Sequence, residues 1–150
     1  MRILIDGDGC KVIDECIKIS NKFKIESIIF CDTSHYFDNK NVKVVVISKG
    51  IDAVDFAILK NLQNGDIVIT QDYGLASLVL SRNSYAINQN GMVYTDENIE
   101  ELLFSRYISK KMRNSGARLK GPKKRDKSQN TVFEQNLEKL ILEKITKEKL

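Results

Sequence analysis

Short apolar runs alternate with amphipathic stretches along most of this 150-residue chain. The apolar runs are rich in β-branched residues and almost continuously hydrophobic, which is typical of strands buried on both faces of a parallel sheet. We predict strands at Arg2–Asp6, Ser27–Cys31, Lys43–Ile47, Ile67–Thr70 and Ser84–Ile87. The segment Met92–Tyr94 follows a turn signal, and we predict a short additional strand there.

Between the strands, apolar residues recur at spacings of three and four, which predicts helices. The predicted helices are Lys11–Lys22, Asp52–Leu62, Tyr73–Leu80, a helix capped by Thr95 that runs to about Arg113, and Gln129–Lys147. This alternation predicts a single α/β domain with a mainly parallel central sheet. Residues 1–113 form the α/β body, and residues 114–150 form a basic loop and an amphipathic helix that packs on the same domain.

The charge is distributed unevenly along the chain. Residues 1–105 contain ten Lys and Arg against fifteen Asp and Glu, a net charge of −5, whereas residues 106–150 contain fourteen against five, a net charge of +9. Cations crowd the predicted loop and its borders, at Arg113, Arg118, Lys120, Lys123, Lys124 and Arg125. A basic arm is typical of segments that follow a nucleic-acid backbone, and we expect RNA rather than DNA as the partner. A solvated linker explains the same charge run equally well.

Other features of the composition favour a soluble cytoplasmic protein without membrane contacts. No apolar run approaches the roughly 20 residues that cross a bilayer, and an acidic residue at position 6 is not typical of a signal peptide. The three cysteines have no C-x-x-C spacing, so we predict reduced thiols, with Cys10 as a packing residue. The single histidine, His35, falls in the predicted loop after the second strand, where a substrate contact and an incidental role are both open.

Three acidic motifs directly follow predicted strands. They are Asp6-Gly7-Asp8-Gly9, Gly50-Ile51-Asp52-Ala53-Val54-Asp55 and Thr70-Gln71-Asp72. Ligands of open α/β sheets bind outside the carboxyl ends of the strands, so we expect these motifs to meet at one edge of the sheet. Aspartate is also a favoured helix cap, which explains Asp52 or Asp72 taken singly about as well.

A group of aspartates at one edge requires a compensating charge. Two carboxylates ~4 Å apart repel by roughly 4 kcal/mol at an effective dielectric of 20, more than a helix cap returns. Oxygen ligands without clustered His or Cys favour Mg²⁺ or Mn²⁺. We predict Asp6 and Asp72 as the principal metal ligands, with Asp8 and Asp55 completing the set. The predicted catalytic residues are Asp6, Asp55 and Asp72. Asp52 and Thr70 are predicted to hold the ligand carboxylates in place.

The motifs, in this order, resemble those of the bacterial YaiI/YqxD family. The matching residues are Asp6-x-Asp8-x-Cys10, Gly50-x-Asp52-x-x-Asp55, Gly65-Asp66-Ile67-Val68-Ile69-Thr70-x-Asp72-x-x-Leu75-Ala76, Asn88-x-x-Gly91-x-x-Tyr94-Thr95-x-x-Asn98-Ile99, and the late Ser115-Gly116, Gly121-Pro122 and Asp126. The resemblance covers nearly the whole chain. It implies a PIN-like three-layer fold in which Asp6, Asp55 and Asp72 lie in the acidic pocket that PIN nucleases use for metal.

The family has no settled activity, so the resemblance implies a fold more firmly than a reaction. This chain also departs from the family pattern. Gly7 and Gly9 stand where the family usually has alanine, and Lys11 stands where it has proline. The turn Gln89-Asn90-Gly91 replaces Pro-Arg-Gly, which puts a phosphate-binding role for that arginine in doubt.

Our leading hypothesis is therefore a metal-dependent nuclease that acts on RNA or DNA. A non-catalytic nucleic-acid-binding module with a structural cation is the main alternative. A phosphatase of the haloacid dehalogenase type is a weaker one, because Ile5-Asp6-Gly7-Asp8 copies the Asp-x-Asp pair of those enzymes. That pattern normally continues to Thr or Val where Cys10 stands, and it needs a late acidic pair after a strand, whereas Asp66 precedes its strand.

Overall fold

The computed structural model describes residues 1–32, 42–121 and 123–148, and within them five parallel strands form one sheet. The strands are β1 (Ile3–Asp6), β2 (Ser27–Asp32), β3 (Lys43–Ile47), β4 (Ile67–Ile69) and β5 (Tyr85–Ile87). Their order across the sheet is β3-β2-β1-β4-β5. The predicted strand at Met92–Tyr94 is reduced to one antiparallel bridge between Ile87 and Val93. His35 lies outside the described residues.

Helices cover both faces of the sheet and complete a three-layer α/β domain. They are α1 (Ile13–Phe23), α2 (Ala53–Asn61), α3 (Tyr73–Ser81), α4 (Asp96–Asn114) and α5 (Ser128–Glu148). Thr95 caps α4 as predicted, since its hydroxyl accepts a hydrogen bond from the Asn98 amide at 3.1 Å while the Asn98 side chain accepts one from Thr95 N at 2.9 Å. The predicted single α/β domain is confirmed, and its layers are consistent with a PIN-like fold. In the described part of the chain, no helix is both long and apolar enough to span a bilayer.

Alternation along the strands divides the core into two halves. Ile3 and Ile5 of β1 face the layer of α1 and α5, whereas Leu4 faces the layer of α2, α3 and α4. The last helix contributes directly to the first half, because Phe133 and Leu137 are fully buried in it. Truncating such a side chain to alanine costs about 2–5 kcal/mol, so α5 is part of the core rather than an appendage.

A tight turn after β5 packs against α5 and needs glycine. Gly91 has a φ of +89°, and a Cβ there would lie 2.9 Å from Asn136 Nδ2 and 3.1 Å from the Val132 carbonyl oxygen. Asn136 Nδ2 donates a hydrogen bond to the Gly91 carbonyl at 2.7 Å. The turn thereby fixes the position of the C-terminal helix relative to the sheet edge.

The order of the strands places a crevice at the carboxyl ends of β1 and β4. The connections leave β1 toward β2 and β3 on one side, and β4 and β5 lie on the other, so the winding reverses between β1 and β4. Crevices at such reversal points are the usual ligand sites of open α/β sheets. Asp6 is the last residue of β1, and Thr70 directly follows β4.

Candidate functional site

A pocket of about 190 Å³ opens at this crevice and is lined by six aspartates. They are Asp6, Asp8, Asp32, Asp52, Asp55 and Asp72, and we call this the acidic pocket. The structure therefore brings together the four predicted ligands and Asp52. It adds Asp32, the last residue of β2. The argument that acidic residues at strand ends meet was applied to β1 and β4, and applied to β2 it would have selected Asp32 as well.

Thr70 connects two sides of the acidic pocket. Its buried hydroxyl donates a hydrogen bond to Asp6 Oδ2 at 2.8 Å and accepts one from the Asp72 amide at 3.0 Å. The Thr70 carbonyl accepts a further hydrogen bond from the Tyr94 hydroxyl at 3.1 Å. One side chain thus sets the orientation of the Asp6 carboxylate relative to the backbone that carries Asp72.

The two helix-start aspartates differ in their local contacts. Asp72 caps α3, because its Oδ1 accepts a hydrogen bond from the Leu75 amide at 3.0 Å. Asp52 stands at the corresponding position of α2 but makes no side-chain cap. Its φ is +59°, a left-handed conformation that costs a non-glycine residue about 1–3 kcal/mol. The capping explanation therefore holds for Asp72 and fails for Asp52, whose side chain lines the pocket instead.

Asp8 links the loop after β1 to the end of β2. Both of its carboxylate oxygens lie 3.3 Å from the Asp32 amide, which donates to them. In the same loop the Gly7 amide donates to the Phe30 carbonyl at 2.8 Å. These bonds hold the first acidic motif against the sheet edge.

The carboxylates of Asp6, Asp55 and Asp72 repel one another across the pocket. Burial, together with the smaller effects of the charges of Asp55, Asp8 and Asp72, raises the pKa of Asp6 from 3.8 to about 6, although the Thr70 hydrogen bond lowers it. Burial also raises the pKa of Asp55 to about 6, with Asp72 and Asp52 contributing. Among the described residues, no Lys or Arg nitrogen lies within 4.0 Å of the carboxylates of Asp6, Asp55 or Asp72. The pocket therefore favours a bound proton or a cation.

The donor set fits a hard divalent cation, because the acidic pocket offers carboxylate oxygens. Asp6, Asp55 and Asp72 would hold such an ion, with Asp8 beside them. In the described ranges, no three Asp, Glu, His or Cys side chains lie close enough together to share an ion as they stand. Mutual repulsion favours separated carboxylates, so binding requires these side chains to turn toward one another.

Arg106 lies beside the acidic pocket although no sequence motif pointed to it. It lies exposed in the middle of α4 and lines a neighbouring pocket of about 400 Å³ together with Asp6, Asp8, Asp72 and Tyr73. It is separated from the strand-end motifs by the whole of α3 and β5. Only the packing of α4 beside α3 brings its guanidinium to the acidic edge.

The basic loop is attached beside the acidic pocket through the turn after β5. Arg125 donates from Nε to Asn90 Oδ1 at 2.9 Å and from Nη2 to the Gln89 carbonyl at 2.8 Å. Gln89 in turn accepts from the Lys11 amide at 2.9 Å and donates its own amide to Gln71 Oε1 at 3.0 Å. Since Gln71 precedes Asp72, this network places the root of the loop next to the carboxylates.

The predicted nucleic-acid contacts therefore fall into two groups. Arg125 uses its guanidinium to anchor the loop to the protein. The exposed cations of this set are Arg113, Arg118, Lys120, Lys123 and Lys124.

The contacts of Cys10 and Asp66, two other residues discussed from the sequence, do not fit a catalytic role. Cys10 precedes α1, and burial raises the pKa of its thiol to about 11, so it is protonated and a poor nucleophile. Asp66 lies at the amino end of β4, opposite the acidic pocket, and pairs with Arg2 at 2.7 Å. It does not supply the late acidic pair that a haloacid dehalogenase-type phosphatase needs.

A family model described as "Uncharacterized BCR, YaiI/YqxD family" matches residues 4–143. The chain belongs to the YaiI/YqxD family. It is 46% identical over 144 residues to a UPF0178 protein of Exiguobacterium sibiricum, covering 96% of this chain and 99% of that protein. A UPF0178 protein of Clostridium kluyveri is 46% identical over 144 residues, covering 95% and 93% of the two chains. The predicted family membership is confirmed, and the names of these YaiI/YqxD relatives state no activity. No solved structure matches the chain.

Proposed function

We propose that this YaiI/YqxD-family protein is a metal-dependent nuclease that hydrolyses phosphodiester bonds of RNA or DNA. The observation that carries the proposal is the acidic pocket, where six aspartates share about 190 Å³. Burial and mutual repulsion raise the pKa of both Asp6 and Asp55 to about 6. Among the described residues, no Lys or Arg nitrogen pairs with Asp6, Asp55 or Asp72, so the repulsion between them is best explained by a ligand that carries positive charge.

Each residue has a distinct role in this proposal. Asp6, Asp55 and Asp72, with Asp8, would hold Mg²⁺ or Mn²⁺, which when bound activates water and stabilises charge on the phosphate. Thr70 keeps the Asp6 carboxylate oriented through its 2.8 Å hydrogen bond. Asp32 and Asp52 add negative charge at the rim.

The basic region supplies the attraction for the polyanionic substrate. Five exposed cations of the loop and its borders lie on a segment that Arg125 ties beside Gln71 and the acidic pocket. Neutralising phosphates releases counterions, so binding through this segment falls steeply as salt rises. We expect RNA as the preferred partner and a reducing cytoplasm as the location, in keeping with the free thiols of Cys10 and Cys16.

The test is cleavage of labelled RNA and DNA with Mn²⁺ or Mg²⁺, comparing the wild-type protein with Asp6→Asn and Asp72→Asn. Asparagine caps helices as well as aspartate does, so Asp72→Asn removes the charge while keeping the cap of α3. We expect both variants to lose at least about 100-fold in rate, the scale of removing a main charge-stabilising group. Asp14→Asn, an exposed substitution on α1, is the matched control and should retain full activity.

Two outcomes would contradict the proposal. Cleavage that survives both substitutions would come from a contaminating nuclease. Absence of cleavage by the wild-type protein on either nucleic acid, with metal present, would remove the catalytic role.

A second candidate function is nucleic-acid binding without turnover, with a structural cation in the acidic pocket. The observation that favours it is the anchored basic segment, whose exposed cations can bind phosphates without any cleavage chemistry. It predicts salt-sensitive RNA binding and a metal-dependent rise in stability, both without cleavage.

A further inference from the structure

A groove of about 320 Å³ adjoins the acidic pocket, bordered by α2, α3 and α4. It shares Asp52, Asp55 and Asp72 with that pocket, so a ligand that extends out of the pocket on this side enters the groove. We call it the side groove. Its remaining lining is of a different kind, since it combines apolar side chains with one arginine.

Phe56 gives the side groove an accessible aromatic surface. Phe56 is 70% exposed and Leu78, which also lines the groove, is 49% exposed, whereas Leu59 and Leu75 are buried. Single exposed apolar residues are ordinary. Phe56, however, follows Asp55 directly in α2 and shares the groove with carboxylates and a guanidinium, surroundings unsuited to a purely apolar partner. An exposed ring in charged surroundings is a stacking surface for a nucleobase.

Arg106 supplies the cation of the same groove. It lines both the side groove and the 400 Å³ pocket, and in the described part of the chain no carboxylate oxygen lies within 4.0 Å of its guanidinium. A planar guanidinium binds phosphate through two parallel hydrogen bonds. Lys110 and Arg113 follow at spacings of four and seven, which places the three cations on one face of α4 leading to the basic loop.

We propose that the side groove binds a single nucleic-acid strand, with one base stacked on Phe56 and a neighbouring phosphate held by Arg106. The ligand class rests on the proposed function, and the new element is this subsite and its selection of unpaired strands. In a duplex each base is already stacked and paired, so it offers no face to Phe56. An unpaired strand has no base pair to break before a base can stack on Phe56, and its backbone can continue along the cations of α4.

The test measures binding rather than cleavage. A fluorescent RNA strand of about 12 nucleotides, a length near the usual single-strand site size, is titrated by anisotropy in Ca²⁺, beside a hairpin duplex of the same composition. The variants are Phe56→Ala, Phe56→Leu, Phe56→Trp and Arg106→Gln. Phe104→Ala and Lys60→Gln are matched controls, because Phe104 is 64% exposed, Lys60 is exposed, and neither lines the side groove.

We expect Phe56→Ala and Phe56→Leu each to weaken single-strand binding about tenfold, the scale of one lost base stack. Phe56→Trp should bind the single strand as the wild type does, and none of the Phe56 variants should change duplex binding. Arg106→Gln should weaken binding and reduce the slope of log affinity against log salt by about one. The two controls should bind as the wild type.

Three results would overturn the inference. Wild-type affinity in Phe56→Leu would mean that the groove accepts any apolar surface, as a protein partner would require. Equal losses for strand and duplex would mean that no base is stacked. Cleavage by the wild type with unaltered binding by the variants would remove this subsite and leave the nuclease. Binding that depends on Phe56, without cleavage, would keep the subsite and remove the nuclease.

Discussion

The carboxylates at the two ends of the parallel strands have different neighbours. At the amino edge, Asp66 is 1% exposed, accepts hydrogen bonds from the Arg2 amide at 3.0 Å and the Gln63 amide at 2.9 Å, and pairs with the Arg2 guanidinium at 2.7 Å. At the carboxyl edge, Asp6 has the Thr70 hydroxyl as its donor and other carboxylates as neighbours. Arg2 thus neutralises Asp66 within the protein, whereas among the described residues no Lys or Arg nitrogen lies within 4.0 Å of the Asp6 carboxylate.

This difference distinguishes Asp66, which has a structural partner, from Asp6, the proposed metal ligand. Asp66 joins the starts of β1 and β4, because its partner Arg2 immediately precedes β1. Removing Asp66 should therefore lower the stability of the fold. Removing the charge of Asp6 should raise the stability of the metal-free protein and weaken only ligand binding.

The largest effect we expect is from Asp66→Ala. Breaking one side of a buried ion pair costs about 3–5 kcal/mol, because the remaining charge and the two amide donors lose their partner. Urea unfolding followed by circular dichroism measures this loss. Asp66→Asn, which keeps an acceptor, should lose less. A change below about 1 kcal/mol in the alanine variant would erase the contrast between the two edges.

Asp6→Asn should have the opposite sign. The folded-state pKa of Asp6 is raised from 3.8 to about 6, so its ionised form destabilises the fold above pH 6, and this cost disappears as the pH falls toward 3.8. We expect the variant to gain about 2 kcal/mol at pH 7.5 without metal and to match the wild type near pH 4. Unfolding at the two pH values tests this, and a loss of stability at pH 7.5 would contradict it.

Added Mn²⁺ should stabilise the wild-type protein through the acidic pocket. At ten times the dissociation constant the gain is about 1.4 kcal/mol, or roughly 4 °C in melting temperature. The shift should shrink between pH 7.5 and pH 5.5, because protonation of Asp6 and Asp55 competes with the ion. It should vanish in Asp72→Asn and persist in Asp14→Asn. An equal shift in both variants would locate the ion elsewhere.

We expect the smallest effect from an exposed salt bridge, because such pairs contribute little to the free energy of unfolding. Lys22 Nζ lies 2.8 Å from Glu138 Oε1 between α1 and α5, and the two side chains are 60% and 30% exposed. We expect Lys22→Gln to change the free energy of unfolding by less than about 0.5 kcal/mol. A loss above 1 kcal/mol in urea unfolding would mean that this pair, and not the burial of Phe133 and Leu137, holds α5 in place.

Much of the fold and part of the candidate site followed from local pattern. The β-branched runs predicted β1 to β5 to within about a residue at most ends, and Thr95 predicted the start of α4. Asp6 and Asp72 could be placed at the carboxyl edge because a strand end fixes where the next residue stands. Asp52 was misread in part, since its left-handed backbone and missing cap depend on contacts that no propensity describes.

By itself, the sequence determined which segments are strands and helices, which faces they bury and which edge receives the acidic motifs. Side-chain periodicity and the direction of the chain are local properties, and they suffice for those conclusions. Only the tertiary structure decided that the Thr70 hydroxyl bonds both Asp6 and the Asp72 amide, that Asp52 has a left-handed backbone without a cap, and that Arg106 and Phe56 line one groove beside them. Those contacts depend on strand order and on helix packing between distant segments, which short-range patterns do not encode.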